Sequence, residues 1–287
     1  MNYRHAFHAG NHADVLKHLT VVGLLQALTQ KDTPLFAADT HAGRGLYSMV
    51  SSSAQKTGEA EDGIGRLLAE APSDPLIHDY LQVVRNARQQ TGDMTVYPGS
   101  PWLLSHLTRP QDRLGFVELH DEEAAVLQSN FAGDRRVTVR HGDGYTAMRA
   151  LLPPRIGTER INRGLVLIDP PFEKQLGEFD DIIAALRDAL ERWPLGCFAV
   201  WYPIKLQRSL QPFMRRCEAL PARNVLRAEL LVRAADSPLR MNGSGMVIVN
   251  APWQLDTRLR TALAKLAPIL ADGPGADSLV SWVRQPA

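Results

Sequence analysis

Apolar and polar positions along this chain fall into blocks of two kinds. Short strand-like runs recur at Leu35 to Asp39, Leu114 to Leu119, Val137 to Arg140, Leu165 to Ile168, Phe198 to Tyr202, Val225 to Val232 and Gly245 to Asn250. Among these runs, Leu165 to Ile168 is continuous, β-rich and short, as expected for a parallel strand covered on both faces. Between them lie stretches of helical period, Glu122 to Phe131, Gly177 to Arg192 and Leu206 to Ala219. Another helix is predicted from Asn11 or His12 through "ADVLKHLTVVGLLQAL", turning Lys17 and His18 toward the ligand edge. Strands alternating with helices predict a doubly wound α/β sheet. The last two runs are joined by "RAADSPLRMNGSG", which has no helical pattern, so they are expected to pair antiparallel. Ser52 to Asp93 breaks the alternation with two helical patterns, Ile64 to Glu70 and Leu76 to Gln90, separated by "APSDP". It reads as a helical insertion within one domain spanning residues 1–287. Arg85 and Arg88 on its second helix are spaced to face a phosphate backbone together.

The strand ends carry the candidate chemistry, because ligands bind outside the carboxyl ends of strands in open α/β sheets. The run Leu165 to Ile168 stops at Asp169-Pro170-Pro171-Phe172. Proline cannot donate to the sheet ladder, so the strand must end there and present Asp169 and Phe172 at its edge. The first strand leads into "ADTHAGRGLY", with Asp39, His41, Gly43 and Gly45, a turn that lets backbone approach a nucleoside cofactor. Position 48 is Ser, so the dinucleotide fingerprint is incomplete and a nicotinamide enzyme is disfavoured. The second strand ends at Glu118, where an acid commonly accepts hydrogen bonds from ribose hydroxyls, although an exposed edge carboxylate would look the same. Asp143-Gly144 after the third strand could cap a helix or meet an adenine edge.

Composition narrows the field. In 287 residues, 45% are hydrophobic and 22% charged, ordinary values for one globular core. No apolar run is long enough to span a membrane, and the polar, His-rich N-terminus has no signal-peptide core, so a cytoplasmic protein is expected. A net charge of +1 excludes a protein that coats nucleic acid by bulk electrostatics. Most of the positive charge is arginine, in local groups at Arg135-Arg136-Arg140, Arg215-Arg216 and Arg223-Arg227-Arg233, and arginine favours planar contacts with phosphate. Cys197 and Cys217 have no metal spacing. His8 and His12 are spaced as metal ligands on a helix, but Gly10 lies between them and nothing nearby completes a set, so no metal is expected.

With these motifs in place, the chain resembles the RlmJ family of 23S rRNA adenine-N6 methyltransferases. The resemblance rests on "YRHAFHAGNHADVLKH" at 3–18, "DTHAGRG" at 39–45, "YPGSP" at 97–101, "ELH" at 118–120, "DG" at 143–144, "IDPPF" at 168–172, "WYP" at 201–203 and "SGMVIVNAPW" at 244–253. It implies a class I, Rossmann-like methyltransferase fold, which the pattern of seven strands with an antiparallel final hairpin also suggests. It further implies methyl transfer from S-adenosylmethionine to the exocyclic amine of one adenine in 23S rRNA. Cofactor contacts would come from His18, His41, Ser100, Glu118, Asp143 and Gly144. Asp169 would be the catalytic acid, with the Pro170 carbonyl and Phe172 beside it and Tyr3 and Lys17 near the substrate. The family usually carries Tyr after the prolines where this chain has Phe172, so stacking is preserved and any role of a phenol hydroxyl is not. A monomer is expected. The same Asp-Pro-Pro-aromatic motif serves rRNA guanine-N2 methyltransferases, and a DNA adenine methyltransferase or a catalytically silent RNA-binding module are further alternatives.

Overall fold

The structure, a computed structural model, describes residues 5–51, 58–173, 176–237 and 241–286, with only the backbone of Leu176. Eight strands form the central sheet: β1 Phe36–Asp39, β2 Arg113–Glu118, β3 Val137–His141, β4 Gly164–Ile168, β5 Cys197–Ile204, β6 Val225–Leu231, β7 Gly243–Val249 and β8 Asp277–Arg284. Their spatial order is β3-β2-β1-β4-β5-β7-β6-β8. β3, β2, β1, β4 and β5 run parallel, and β7, β6 and β8 follow by antiparallel pairing. Two short antiparallel ribbons, 46–48 with 96–98 and 155–156 with 159–160, stand apart from it.

The seven expected strands are all present, and the last two of them do pair antiparallel. The eighth strand was not expected. β8 occupies the sheet edge, where only Val280 is buried, so its sequence lacks the continuous apolar run of a central strand. The segment expected to be helical from Leu206 to Ala219 is a short 3₁₀ turn over 207–210 followed by a regular helix that starts at Gln211.

Alternate residues of each central strand serve two apolar layers. Ala37, Leu165, Leu167 and Ala199 face one; Phe36, Ala38, Val166, Ile168 and Val200 face the other. Helix α1, His12–Leu28, is the centre of the first layer. Its Asn11 cap accepts hydrogen bonds from the Ala13 and Asp14 amides, fixing the predicted start. Residues 13–25 are all buried, so α1 is enclosed on every side. The helical turn Glu61–Gly65, which leads into α2 (Arg66–Glu70), and α3 (Pro75–Thr91) pack on it, and Ile64, Leu67, Ile77, Tyr80 and Val84 belong to the same core as the sheet. The break before α3 has a local cause: Asp74 caps Leu76 and Ile77, and Pro75 suits the first helical turn. Arg88 does not face outward with Arg85. Its Nε donates to the Val96 carbonyl at 3.1 Å, so the expected joint phosphate contact is not formed by this pair.

The remaining helices are α4 Ser100–Leu107, α5 Asp121–Phe131, α6 Gly144–Leu151, α7 Leu176–Arg192, α8 Gln211–Glu218 and α9 Leu255–Ile269. Among the described residues no helix is long and apolar enough to cross a membrane, and no cluster of three or more metal-ligating side chains occurs.

Candidate active site

Sheet order alone locates the ligand edge. Connections leave β1 toward β2 and β4 toward β5, so the crevice above β1 and β4 is the topological switch point. Asp39 pairs in register with Leu167 and Phe116. Asp169 and Glu118 lie two residues beyond those partners, which brings three carboxylates from three strands to one rim.

Asp169 stands where two cavities meet. On one side it joins Lys17, His41, Gly43, Ser100 and Glu118 around a small pocket. On the other it joins Pro170, Phe172, Trp201, Lys205 and Arg233 around a cleft of about 480 Å³. Phe172 has φ +51°, an uncommon conformation for a bulky residue and one that concentrates at functional sites. Its ring meets Phe179 and Trp201 edge-on, with centroids 5.2 and 5.8 Å away, so the ring is braced from two sides.

Lys17 closes the junction. Its Nζ donates to Asp169 Oδ2 at 2.5 Å and to Asp14 Oδ1 at 2.7 Å. Burial disfavours the ammonium, but Asp14 and Asp169 together hold its pKa well above the ordinary lysine value. Asp14 is also fully buried, and His5 and Lys17 keep its pKa well below the usual carboxylate range. His5 Nε2 lies 3.1 Å from Asp14 Oδ2. A chain of groups therefore runs His5, Asp14, Lys17, Asp169.

The small pocket is built by glycine and acid. Glu118 Oε2 accepts from the Gly43 amide and Oε1 from the His120 amide, both at 2.7 Å. The carboxylate thus anchors the glycine turn and the entry to α5. Arg44 grips Glu123 of α5 with two donors, at 2.7 and 2.5 Å, and ties the same turn down again. Gly43 has φ +60°, and a Cβ there would stand 2.0 Å from the Tyr47 hydroxyl, so only glycine fits. His41 is pushed down to about 4 by desolvation and is neutral at pH 7. Asp39 is fully buried, and its Oδ2 has no hydrogen-bond partner. Burial pushes its pKa up to about 6, against the opposing influence of Ser100 and the His41 amide. A buried carboxyl with one unsatisfied oxygen suits a cationic ligand, and S-adenosylmethionine carries a sulfonium and an ammonium. The residues present fit that cofactor.

Of the residues expected from sequence, Lys17, His41, Ser100, Glu118 and Asp169 line the small pocket, and Lys17, Asp169, Pro170 and Phe172 line the cleft. His18, Asp143 and Gly144 line neither. His18, on α1, is fully buried, its Nδ1 2.7 Å from the Tyr97 hydroxyl, which lies 2.9 Å from that of Tyr80. Asp143 Oδ1 accepts from the Thr146 amide and caps α6. Gly144 lets α6 approach the loop after β1, since a Cβ there would be 2.2 Å from the Thr40 carbonyl oxygen. Tyr3 lies outside the described residues. Asp39, named in the turn after the first strand, is fully buried and lines neither cavity; it ends the first strand as Glu118 ends the second. His5, Tyr47 and Gly99 also line the small pocket without having been singled out. The arginine groups are spread among separate partners: Arg136 with Asp134, Arg216 with Asp180, Arg227 with Ser281 and Arg233 with Asp272.

A parallel sheet ordered 3-2-1-4-5, completed by an antiparallel strand between its fifth and sixth members, with an acid-and-glycine pocket at the switch point, defines the class I S-adenosylmethionine-dependent methyltransferases. The chain belongs to the family described as ribosomal RNA large subunit methyltransferase D, RlmJ, whose model matches residues 32–284. It is 37% identical over 283 residues to ribosomal RNA large subunit methyltransferase J of Haemophilus influenzae, covering 99% of each chain. The protein of the same name from Escherichia coli K12 is 35% identical over 283 residues, again covering 99% of each. A crystal structure of a Legionella pneumophila protein superposes with a TM-score of 0.83 at 32% identity, covering 96% of this chain and 98% of that one.

Proposed function

We propose that this protein transfers the methyl group of S-adenosylmethionine to the N6 amine of an adenine in 23S rRNA. The observation that carries this reading is the position of Asp169-Pro170-Pro171-Phe172, at the junction between the small pocket and the larger cleft. Family membership supports the ribosomal substrate, and the name shared by the two relatives specifies the large subunit. The cofactor supplies an electrophilic methyl on a sulfonium. Glu118 would accept from its ribose hydroxyls with the lone pairs that the Gly43 and His120 amides leave free. Asp39, and Ser100 beside it, would face the cationic end.

Adenine N6 is a poor nucleophile because its lone pair is delocalised into the ring. Asp169 and the Pro170 carbonyl would each accept one hydrogen of that amine, localising the lone pair and aiming it in line with the methyl. Phe172 would stack on the extruded base, a contact of about 1–3 kcal/mol. Lys17 would yield Asp169 Oδ2 to the amine while staying paired with Asp14. The proton released from N6 after transfer would leave by way of Asp169. The chain is proposed to act as a monomer in the cytoplasm, where ribosomal RNA is found.

Radiolabelled transfer to protein-free 23S rRNA and to assembled subunits, followed by identification of the modified nucleoside, tests the reading. N6-methyladenosine is expected. N2-methylguanosine would assign the alternative base, and no product would leave a silent RNA-binding module. Asp169→Asn should then retain cofactor affinity and lose most of its single-turnover rate. A variant within threefold of the parent would remove Asp169 from the key acceptor role.

A further inference from the structure

The cleft of about 480 Å³ that Phe172 lines is also lined by His12, Trp201, Lys205 and Arg233, to which the reading above gives no contact with the target base. Three nitrogens on its lining residues are buried without any hydrogen-bond partner: Trp201 Nε1, His12 Nδ1 and Arg233 Nε. Indole and guanidinium nitrogens are donors only, so two of these three positions lack an acceptor. Buried donors are rarely left unpaired, so each of these two positions calls for an acceptor that the described residues do not supply. His12 is neutral, since desolvation pushes it down to about 4.

The cleft's carboxylates do not fill that gap. Asp14 is taken by Lys17, Glu59 by His8 and Asn11, and Asp62 by Arg66. Arg233 binds Asp272 through Nη2 alone, and Asp272 is 56% exposed while Arg233 is only 15% exposed. Lys205 forms no ion pair among the described residues and lines the same cleft as Phe172 and Arg233. The wall therefore presents a guanidinium whose Nη2 is held by Asp272 while its Nε lacks an acceptor, and an ammonium with no ion-pair partner among the described residues. An anionic, acceptor-rich group of small size meets both needs.

We propose that Arg233 and Lys205 form a phosphodiester subsite that holds the RNA backbone phosphate next to the target nucleotide while its base lies against Phe172. This rests on the nucleic-acid reading above and adds the contact that positions the strand. Arg233 is a binding residue here, and Asp272 its stand-in acceptor until the phosphate arrives.

The test is binding of a 23S rRNA hairpin containing the target adenosine, followed by fluorescence anisotropy at several salt concentrations. Hairpins in which the phosphate on either side of the target is replaced singly by neutral methylphosphonate are measured alongside. Arg233→Ala should weaken binding about tenfold and lower the salt slope by about one. One methylphosphonate should weaken binding to the parent by a similar factor and have no further effect on Arg233→Ala. Asp272→Ala should bind at least as tightly as the parent, because it frees the guanidinium. The proposal is overturned if neither methylphosphonate weakens binding to the parent, a result that needs no variant to fold. It is also overturned if the methylphosphonate penalty is the same in Arg233→Ala, or if Asp272→Ala reproduces the loss and the pair is only a structural brace. Identification of the methylated nucleoside is a separate readout, so a wrong target base and a wrong subsite are told apart.

Discussion

Asp39→Asn should make the free protein more stable at neutral pH and the cofactor complex weaker. The native carboxyl is fully buried with one oxygen unpaired, and burial pushes its pKa from the ordinary 3.8 up to about 6. The folded state therefore holds the proton more tightly than the unfolded chain. Stability associated with the neutral form is complete below about pH 4 and is lost as the pH rises through 6. A shift of about two pKa units corresponds to about 3 kcal/mol at 1.36 kcal/mol per unit, all of it felt above pH 6. The amide carries no charge, so the variant should escape that cost, less whatever its NH2 group loses at the unpaired position. With an unfolding entropy of about 2 cal/mol/K per residue, 3 kcal/mol in a chain of 287 residues is about 5 °C in Tm. Scanning calorimetry from pH 4 to 8 should show a difference near zero at the acid end that grows to a few degrees by pH 7. Titration calorimetry should show S-adenosylmethionine affinity falling about tenfold, equivalent to about 1.4 kcal/mol. A Tm difference of the same size at pH 4 and pH 8 would refute the charge argument. Unchanged cofactor affinity would refute the placement of Asp39 beside the cationic end.

Glu118→Ala should weaken S-adenosylmethionine binding tenfold or more by calorimetry, and also lower Tm, because the Gly43 and His120 amides lose their acceptor. Unchanged affinity with a lowered Tm would make Glu118 purely an anchor of the turn. Phe172→Tyr should be nearly neutral in RNA methylation, whereas Phe172→Ala should raise KM for RNA and leave cofactor affinity alone; equal losses in both would move the ring into the cofactor pocket. Gly144→Ala should cost about 1–3 kcal/mol in denaturant titration, since its Cβ would overlap the Thr40 carbonyl and force α6 outward.

Local chemistry in the sequence was enough to place most elements. The apolar run before Asp169-Pro170 could only be an interior strand cut short by proline, and β4 ends there. Asn11 before α1 and Asp74-Pro75 before α3 are capping signals that act through amides two or three residues away, so they operate wherever the helix sits. The order of the motifs along the chain, together with the family resemblance they carry, sufficed for the class of chemistry.

What only the packed molecule decided are the pairings between residues distant along the chain. Lys17 meets Asp169 across 152 positions because α1 is buried against the sheet, and no local pattern specifies that contact. The same burial takes His18 out of the pocket wall and onto Tyr97, a side chain that the i, i+1 spacing from Lys17 could not have oriented. Arg88 turns inward to the Val96 carbonyl because the turn after α3 returns a strand beneath it. Edge strand β8 is stabilised by pairing with β6 more than by its own apolar pattern, which is why it escaped notice. Asp39 is the clearest case. Its residue type and place at a strand end are legible in the sequence, but its raised pKa and unpaired oxygen arise only when neighbouring strands exclude water. Propensity and capping depend on a few neighbours along the chain, whereas desolvation and charge pairing depend on whatever the fold brings near.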